Sequence, residues 1–236
     1  MSLRAILRLG VAVLLLAFCL PAYGIARPFG RQAAWVRRFL RGIGWLLGLR
    51  VTVSGRPVEG SVLFVANHIS WLDILALGGA TPARFIAKSE IAGWPLVGWL
   101  ARLGGGVFVS RDRRSTTRTQ ADAVATALGQ GRPVVLFAEG GTGDGQAVLP
   151  FRAPLFVSAA EAGVAVQPVA IDYGPARTRL AWPDGVSFAE EARRMLNRRE
   201  TVPVTLRFLA PLSAQALDRK ALAGAAHAAV AGALIP

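Results

Sequence analysis

The sequence predicts an α/β domain with a mixed sheet flanked by helices on both faces, preceded by a membrane-associated pair of apolar helices. Strand-like runs recur along most of the chain with helical stretches between most of them, which is typical of an α/β sandwich. The first 50 residues lack this alternation and are mainly apolar. A chain of 236 residues suffices for one domain and a small extension. We therefore divide it into N-terminal helices, 1–50, and an α/β domain, 51–236.

Composition favours a membrane surface as a partner. Hydrophobic residues make up 53% of the chain and charged residues only 17%, with a formal net charge of +13. Arginine carries almost all of this charge, because Lys88 and Lys220 are the only lysines. Such an excess suits an anionic surface, either phospholipid or nucleic acid. No zinc-finger spacing or RNA-binding signature is present, so we expect an anionic membrane surface and no nucleic acid.

The N-terminal apolar segment predicts a membrane helix. Leu9 to Ala26 are eighteen uncharged residues interrupted by Pro21, at the short end of what spans a bilayer. A secretory signal peptide is the alternative interpretation. Arginines after the segment outnumber those before it, and the positive-inside rule then keeps the rest of the chain in the cytoplasm. We expect the protein to lie at the inner membrane, with residues 51–236 on its cytoplasmic side.

The next segment, Gln32 to Leu49, has apolar residues at helical spacing and Arg37, Arg38 and Arg41 on the opposite face. This pattern predicts an interfacial helix whose arginines face lipid headgroups. The alternative is a helix that packs on the protein's own core. Strands are then predicted at 49–55, 61–66, 84–87, 107–110, 134–137, 164–173 and 202–208.

A histidine and an aspartate five residues apart follow the second predicted strand. An imidazole can take a proton from a hydroxyl if its other ring nitrogen is held by an acceptor, which makes His68 a candidate base and Asp73 its partner. Ser70-x-x-Asp73 has the form of a capping box, which would turn the chain so that the two side chains meet. In the alternative interpretation Asp73 only caps a helix. His227, in an Ala-rich helical segment, is expected to be structural or exposed.

Two further blocks contain charged residues at strand ends. Gly105 to Arg111 has the form G-x-x-F-x-x-R, and a guanidinium is suited to binding phosphate. Phe137 to Gly145 places Glu139, Gly140 and Thr142 in a glycine-rich turn after a buried strand. Glycines allow a ligand to approach the backbone closely.

The N-H-x4-D pattern at Asn67 to Asp73 resembles the first motif of the glycerolipid acyltransferases, which include the 1-acyl-glycerol-3-phosphate acyltransferases. The blocks at Gly105 to Arg111, Phe137 to Gly145 and Val166 to Ile171 follow in that family's order. The resemblance covers roughly residues 60 to 175. It implies the fold, with His68 and Asp73 as catalytic residues, Arg111 as the residue that binds the acceptor's phosphate, and the turn at Glu139, Gly140 and Thr142 as part of the substrate site.

The third block departs from the family pattern F-P-E-G-T-R-S. Ala138 replaces the proline, Gly141 the threonine, and Thr142 stands where an arginine is usual. The continuation through Asp144 to Arg152 is similar to the branch that acylates lyso-ornithine lipid, whose acceptor has no phosphate.

The predicted activity is therefore O-acyl transfer at a membrane. The donor is acyl-CoA or acyl carrier protein as co-substrate, no cofactor or metal is expected, and the acceptor is a lysolipid. Lysophosphatidate is the first candidate and lyso-ornithine lipid the alternative. Two rival hypotheses are a metal-dependent hydrolase, for which two histidines give too few ligands, and a catalytically degraded membrane-binding protein.

Overall fold

The computed structural model describes residues 2–109, 117–182 and 185–234. The α-helices are α1 Leu3–Ala26, α2 Gln32–Leu46, α3 Leu72–Ala80, α4 Pro95–Leu103, α5 Thr117–Gly129, α6 Val157–Glu161, α7 Arg177–Leu180, α8 Phe188–Asn197 and α9 Arg219–Ala233. The strands are β1 Leu49–Ser54, β2 Val62–Ala66, β3 Arg84–Lys88, β4 Val107–Val109, β5 Val134–Phe137, β6 Ala165–Asp172 and β7 Val202–Phe208. The predicted strands are confirmed, with ends that differ by at most one or two residues.

The described strands form one mixed sheet in the order β1-β7-β6-β2-β5-β3-β4. β7 runs antiparallel to β6, while the pairs from β6 through β2, β5 and β3 to β4 are parallel. The carboxyl ends of β2, β5 and β6 therefore meet at one edge of the sheet. Ala66, Phe137 and Val169 are direct neighbours there. This edge brings together the first, third and fourth sequence blocks.

Helices cover both faces of the sheet, as predicted. Along β2, Val62, Phe64 and Ala66 point into one core, and Leu63 and Val65 point into the other. This alternation is the period of two expected of a strand whose faces are both buried. α2, α3 and α8 lie over the first core, and α5, α6 and α9 over the second.

The N-terminal helices pack on the catalytic domain rather than standing apart from it. Leu40 and Ile43 of α2 pack against the first core. Arg41, which the sequence placed among the headgroup-facing arginines, donates instead from Nε to the carbonyl of Gly79 at 3.2 Å. A Cβ at Gly79 would lie 2.9 Å from the Arg41 Cα, so the two helices touch at backbone level. For the face of α2 that carries Leu40, Arg41 and Ile43, the described contacts favour the alternative of a helix packed on the protein's own core.

α1 lies on α2 and leaves most of its apolar surface exposed. Phe18 and Trp35 pack edge to face with ring centroids 5.9 Å apart. Residues 3–29 are long and apolar enough to cross a bilayer, and only 11% of the most apolar window is buried. β1 begins at Leu49, so the division drawn at residue 50 falls just inside that strand.

Candidate active site

The loop after β2 brings His68 and Asp73 together. His68 Nδ1 lies 2.8 Å from Asp73 Oδ2, although the residues are five apart in sequence. They meet because His68 precedes α3 and Asp73 lies in its first turn. A carboxylate only accepts hydrogen bonds, so Nδ1 carries the hydrogen and Nε2 is left as the acceptor. The structure thus brings together the two residues that the sequence predicts as base and orienting partner.

The predicted capping box is only half present. Ser70 N donates to Asp73 Oδ2 at 2.9 Å, as the box requires. The Ser70 hydroxyl, however, is 3.4 Å from the amide of Leu72 rather than accepting from Asp73, and the helix begins at Leu72 with Trp71 at its N-cap. The capping box is incomplete because Oδ2 of Asp73, which accepts from Ser70 N, also accepts from the His68 imidazole.

Asp73 is completely buried and holds the loop together. Oδ2 also accepts from Ile69 N at 2.8 Å, and Oδ1 accepts from the Tyr173 hydroxyl at 2.7 Å. Four donors thus stabilise the negative charge on this carboxylate. Their number leaves it little capacity to act as a metal ligand, which argues against the metal-dependent hydrolase.

Tyr173 was not singled out by the sequence. It directly follows β6, one hundred residues after Asp73, and is 1% exposed. Burial raises the pKa of the Tyr173 hydroxyl well above its ordinary value, and the negative charge of Asp73 and the hydrogen bond to it act in the same direction. The hydroxyl therefore remains protonated and donates to Asp73. No sequence spacing could have indicated this contact, because it depends on β2 and β6 lying side by side.

The His68 ring is stacked on Phe137 at the end of β5. The ring centroids are 3.9 Å apart and the planes differ by 11°. The His68 side chain is 17% exposed, so one part of the ring reaches solvent. Packing against Phe137 and the bond to Asp73 together fix the orientation of the ring, which is the condition for an efficient general base.

Glu139 faces the backbone of the His68 loop, and its role in substrate binding stays a prediction. Its Oε1 accepts from His68 N at 2.7 Å, and its Oε2 accepts from Leu149 N at 3.1 Å. Only 4% of the residue is exposed. Burial raises the pKa of Glu139 to about 7 against the opposing effect of those two amide bonds, with a smaller raising effect from Asp73. Both oxygens are occupied by backbone, so this carboxylate is a structural clamp.

The rest of the third block closes around the same loop. Gly143 N donates to His68 O at 2.8 Å, and Thr142 Oγ1 lies 3.3 Å from Trp182 O. Gly140 has φ +82°, a conformation that favours glycine. A Cβ on Gly140 would lie 2.6 Å from Arg152 Nε, which shows that the guanidinium of Arg152 covers the turn.

Arg111 of the second block lies outside the described residues, and its role in substrate binding stays a prediction. His227 is structural, as expected: its Nε2 lies 3.2 Å from Val148 O and its ring packs edge to face on Phe151. Asn67 also has a structural role that the sequence did not reveal. Its side chain bonds both the amide and the carbonyl of Ile171, which ties the end of β2 to β6.

An aromatic cluster flanks the His68 loop and was also missed. The ring of Phe188 packs between those of Trp71, Trp94 and Trp182, with centroids 5.3–5.9 Å apart. Trp182 N donates to Ile69 O at 2.7 Å, which joins this cluster to the loop. The residues are scattered over more than a hundred positions, so only the fold reveals the cluster.

The acyltransferase family model matches residues 50–172. The lyso-ornithine lipid O-acyltransferase of Brucella abortus is 42% identical over 211 residues, 80% of this chain and 79% of the relative. A 1-acyl-sn-glycerol-3-phosphate acyltransferase of Neisseria gonorrhoeae is 42% identical over 130 residues, 54% of this chain and 50% of the relative.

The fold has a close counterpart among solved structures. The 1-acyl-sn-glycerophosphate acyltransferase of Thermotoga maritima superposes with a TM-score of 0.69 over 98% of this chain and 96% of its own, at 24% identity. The family model spans more than half of the chain, and the Brucella abortus relative is matched over more than two thirds of its length. The chain belongs to the acyltransferase family.

Proposed function

We propose that this enzyme transfers an acyl chain from a thioester to the free hydroxyl of a lysolipid, with lyso-ornithine lipid as the acceptor. The observation that carries the chemistry is the His68 Nδ1 to Asp73 Oδ2 bond of 2.8 Å. It leaves Nε2 of a fixed imidazole as the base.

In the proposed reaction, His68 Nε2 takes the proton of the acceptor hydroxyl as its oxygen attacks the thioester carbonyl. Collapse of the tetrahedral intermediate breaks the carbon–sulfur bond, and the imidazolium returns the proton to the departing thiolate. The products are an ester and a free thiol of CoA or acyl carrier protein. Asp73 stabilises the imidazolium that forms between the two steps.

Three observations support lyso-ornithine lipid over lysophosphatidate as the acceptor. The Brucella abortus relative with that activity is matched over 79% of its length, whereas the Neisseria relative is matched over half. Thr142 occupies the usual arginine position, and its hydroxyl lies beside the backbone carbonyl of Trp182. The turn also carries an exposed carboxylate, Asp144, and is covered by the guanidinium of Arg152.

The charges of Arg152 and Asp144 are complementary to the ornithine headgroup, which has a carboxylate and an amine. A guanidinium binds a carboxylate with two aligned donors, and Asp144 is available to an ammonium group. Glu139 is not, because its oxygens are engaged by His68 and Leu149 amides. In this assignment Arg152 holds the acceptor's carboxylate in place of the arginine missing at position 142.

We further propose that the enzyme works at the inner membrane with its catalytic domain on the cytoplasmic side. The exposed apolar surface of α1 and the excess of arginine support attachment to an anionic bilayer. Its lysolipid acceptor resides in such a bilayer. Fractionation of cells and protease protection of spheroplasts would check both the membrane and the side.

The deciding experiment compares lyso-ornithine lipid and lysophosphatidate side by side, with one acyl carrier protein or acyl-CoA donor, and measures free thiol released. We expect the higher kcat/KM with lyso-ornithine lipid. Higher kcat/KM with lysophosphatidate would reverse the acceptor assignment. Turnover of neither lysolipid by folded protein would favour the degraded membrane-binding protein instead.

A further inference from the structure

Two cavities share one lining residue, and the larger of the two lies where the first turns of α1 meet the end of α8. One has a volume of about 630 Å³ and runs between α1, the end of α2 and Asn197. The other, of about 370 Å³, lies between α7 and the start of β7. Arg199 lines both cavities. We call the two together the α1–α8 groove.

The α1–α8 groove has a large excess of positive charge. Five arginines line it: Arg4, Arg8, Arg179, Arg198 and Arg199. Glu200 is the one carboxylate among the described residues that line it, and Arg179 lies 3.2 Å from this residue's Oε2. Like charges this close destabilise one another unless an anion lies between them.

Besides Arg179, two more of the arginines already have partners in the protein. Arg8 Nη1 donates to the carbonyls of Arg198 at 2.7 Å and Leu196 at 3.0 Å, which caps the end of α8. Arg198 Nη2 donates to Leu47 O at 2.6 Å. These bonds fasten α1 and α2 to the catalytic domain at the mouth of the groove.

Arg198 nevertheless keeps unused donors. Its Nε and Nη1 are buried and have no hydrogen-bond partner among the described residues. Burial lowers the pKa of Arg198, and the positive charge of Arg8 lowers it further. A buried donor without a partner costs free energy, and an anion that reached it would remove that cost.

Part of the groove wall is apolar, and α1 contributes most of this part. Leu3, Leu7 and Val11 lie on one side and Leu46 on the other, and the three α1 side chains are 48–73% exposed. A free inorganic anion would use the arginines and leave this wall in water. A ligand with an anionic head and a hydrocarbon tail would cover both parts.

We propose that the α1–α8 groove binds one anionic phospholipid, with its phosphate on Arg198 and Arg199 and an acyl chain along Leu3, Leu7 and Val11. Arg4 adds a third positive charge at the mouth. The groove shares no lining residue with the contacts of His68, so this lipid is a resident of the fold and not the acceptor. Its role is to hold α1 against α8 at the membrane surface, whichever lysolipid the enzyme acylates.

The test measures lipid binding to the full-length protein in a neutral detergent. The probes are phosphatidylglycerol and phosphatidylcholine with the same acyl chains, and the readouts are native mass spectrometry and thermal shift. We expect one retained phosphatidylglycerol per chain, a rise in Tm, and little retention of phosphatidylcholine. Arg4→Gln/Arg199→Gln should weaken phosphatidylglycerol binding about tenfold or more, as loss of charge-assisted contacts implies. Both residues are exposed, so the variant should fold.

The matched control is Arg193→Gln/Arg219→Gln, which removes two exposed arginines outside the groove. Unchanged binding in this control supports a discrete site, whereas an equal loss would show diffuse electrostatic attraction and overturn the proposal. Equal retention of both lipids, or displacement of the lipid by equimolar inorganic phosphate, would also overturn it. A raised KM for the acceptor in Arg4→Gln/Arg199→Gln with normal phosphatidylglycerol retention would place the acceptor here instead.

Discussion

The His68 loop and the Glu139 turn both follow parallel strands at the same sheet edge, yet their polar groups are used differently. In the His68 loop, Asp73 is completely buried and accepts from four donors, so the loop is internally satisfied. In the Glu139 turn, only Glu139 points inward, while Asp144 and Arg152 remain exposed.

The His68 loop therefore holds the residues proposed for catalysis, whereas the exposed charges of the Glu139 turn are those proposed to bind the acceptor. The loop fixes one imidazole, and Glu139 and Gly143 clamp that residue's own N–H and C=O from the neighbouring turn. The outward charges of the turn can vary without disturbing the clamp. An altered third block is therefore compatible with an intact His68–Asp73 pair, and under the proposed function Thr142 in place of arginine bears on the acceptor more than on the catalytic step.

The largest expected effect comes from the loop. His68→Ala removes the base and should lower kcat/KM by about 1,000-fold or more, since general base catalysis supplies factors of this order. The variant should fold, because the His68 side chain is partly exposed and packs mainly on Phe137. Thiol release measured with the same thioester donor is the readout.

His227→Ala is the matched control, because it removes the other histidine from a contact with Val148 O that involves neither His68 nor Asp73. It should keep turnover within a few-fold of wild type. Wild-type-like turnover by folded His68→Ala would refute the mechanism.

Much of this loop could be predicted from the sequence. The apolar run before Asn67 located β2, and the spacing of five with a turn signal between brought His68 to Asp73. Local patterns carry such information because the contacts are short in sequence. Strand positions were predictable for the same reason, since each strand is a continuous apolar run bounded by turn residues.

The direction in which Glu139 points was not predictable. A carboxylate after a strand can face a ligand or the backbone of a neighbouring strand's loop, and sequence does not distinguish the two. Tyr173 and the Phe188 cluster depend on strand order, which the sequence does not specify. Arg41 was assigned to the headgroups because helical periodicity gives a face but not the neighbour, and that neighbour is the end of α3.

The second effect concerns the clamp. Glu139→Gln replaces one acceptor oxygen by an amide group that cannot accept from His68 N or Leu149 N, so the loop should loosen. We expect kcat/KM to fall about 10- to 100-fold with little change in acceptor KM. A large rise in acceptor KM with normal kcat would instead make Glu139 a substrate-binding residue, as the sequence alone had indicated.

The same variant has a pH signature. The pKa of Glu139 is raised to about 7, so between the ordinary glutamate value of 4.5 and 7 the folded state binds more protons than the unfolded state. Its contribution to stability is then greatest below pH 4.5 and is lost as pH rises through 7. Urea unfolding of wild type and Glu139→Gln across this range should show a difference that changes by about 1–3 kcal/mol. A pH-independent difference would show that Glu139 titrates normally.

The third effect concerns Arg152, the exposed residue that covers the Glu139 turn. Arg152→Ala should raise the KM for lyso-ornithine lipid about tenfold and leave kcat nearly unchanged, because a lost carboxylate contact weakens binding alone. Arg152→Ala/Thr142→Arg would restore the cation at the family's usual position and should recover part of the loss. Arg193→Gln serves as a charge control. An equal fall in kcat with no change in KM would mean that Arg152 supports the turn rather than the acceptor.

The smallest expected effect concerns Tyr173, which follows β6 and donates to Oδ1 of Asp73 in the His68 loop. Tyr173→Phe removes one hydrogen bond from a carboxylate that keeps its three other donors, so kcat should fall only about 3- to 10-fold. With one donor fewer on Asp73, the carboxylate and the His68 ring that it holds are less firmly oriented. The fall should therefore be confined to kcat, with the KM of both substrates unchanged and the protein still folded at the assay temperature. A purely structural role for Tyr173 would lower Tm and leave kcat of the folded enzyme at the wild-type value, and that result would remove Tyr173 from the positioning network.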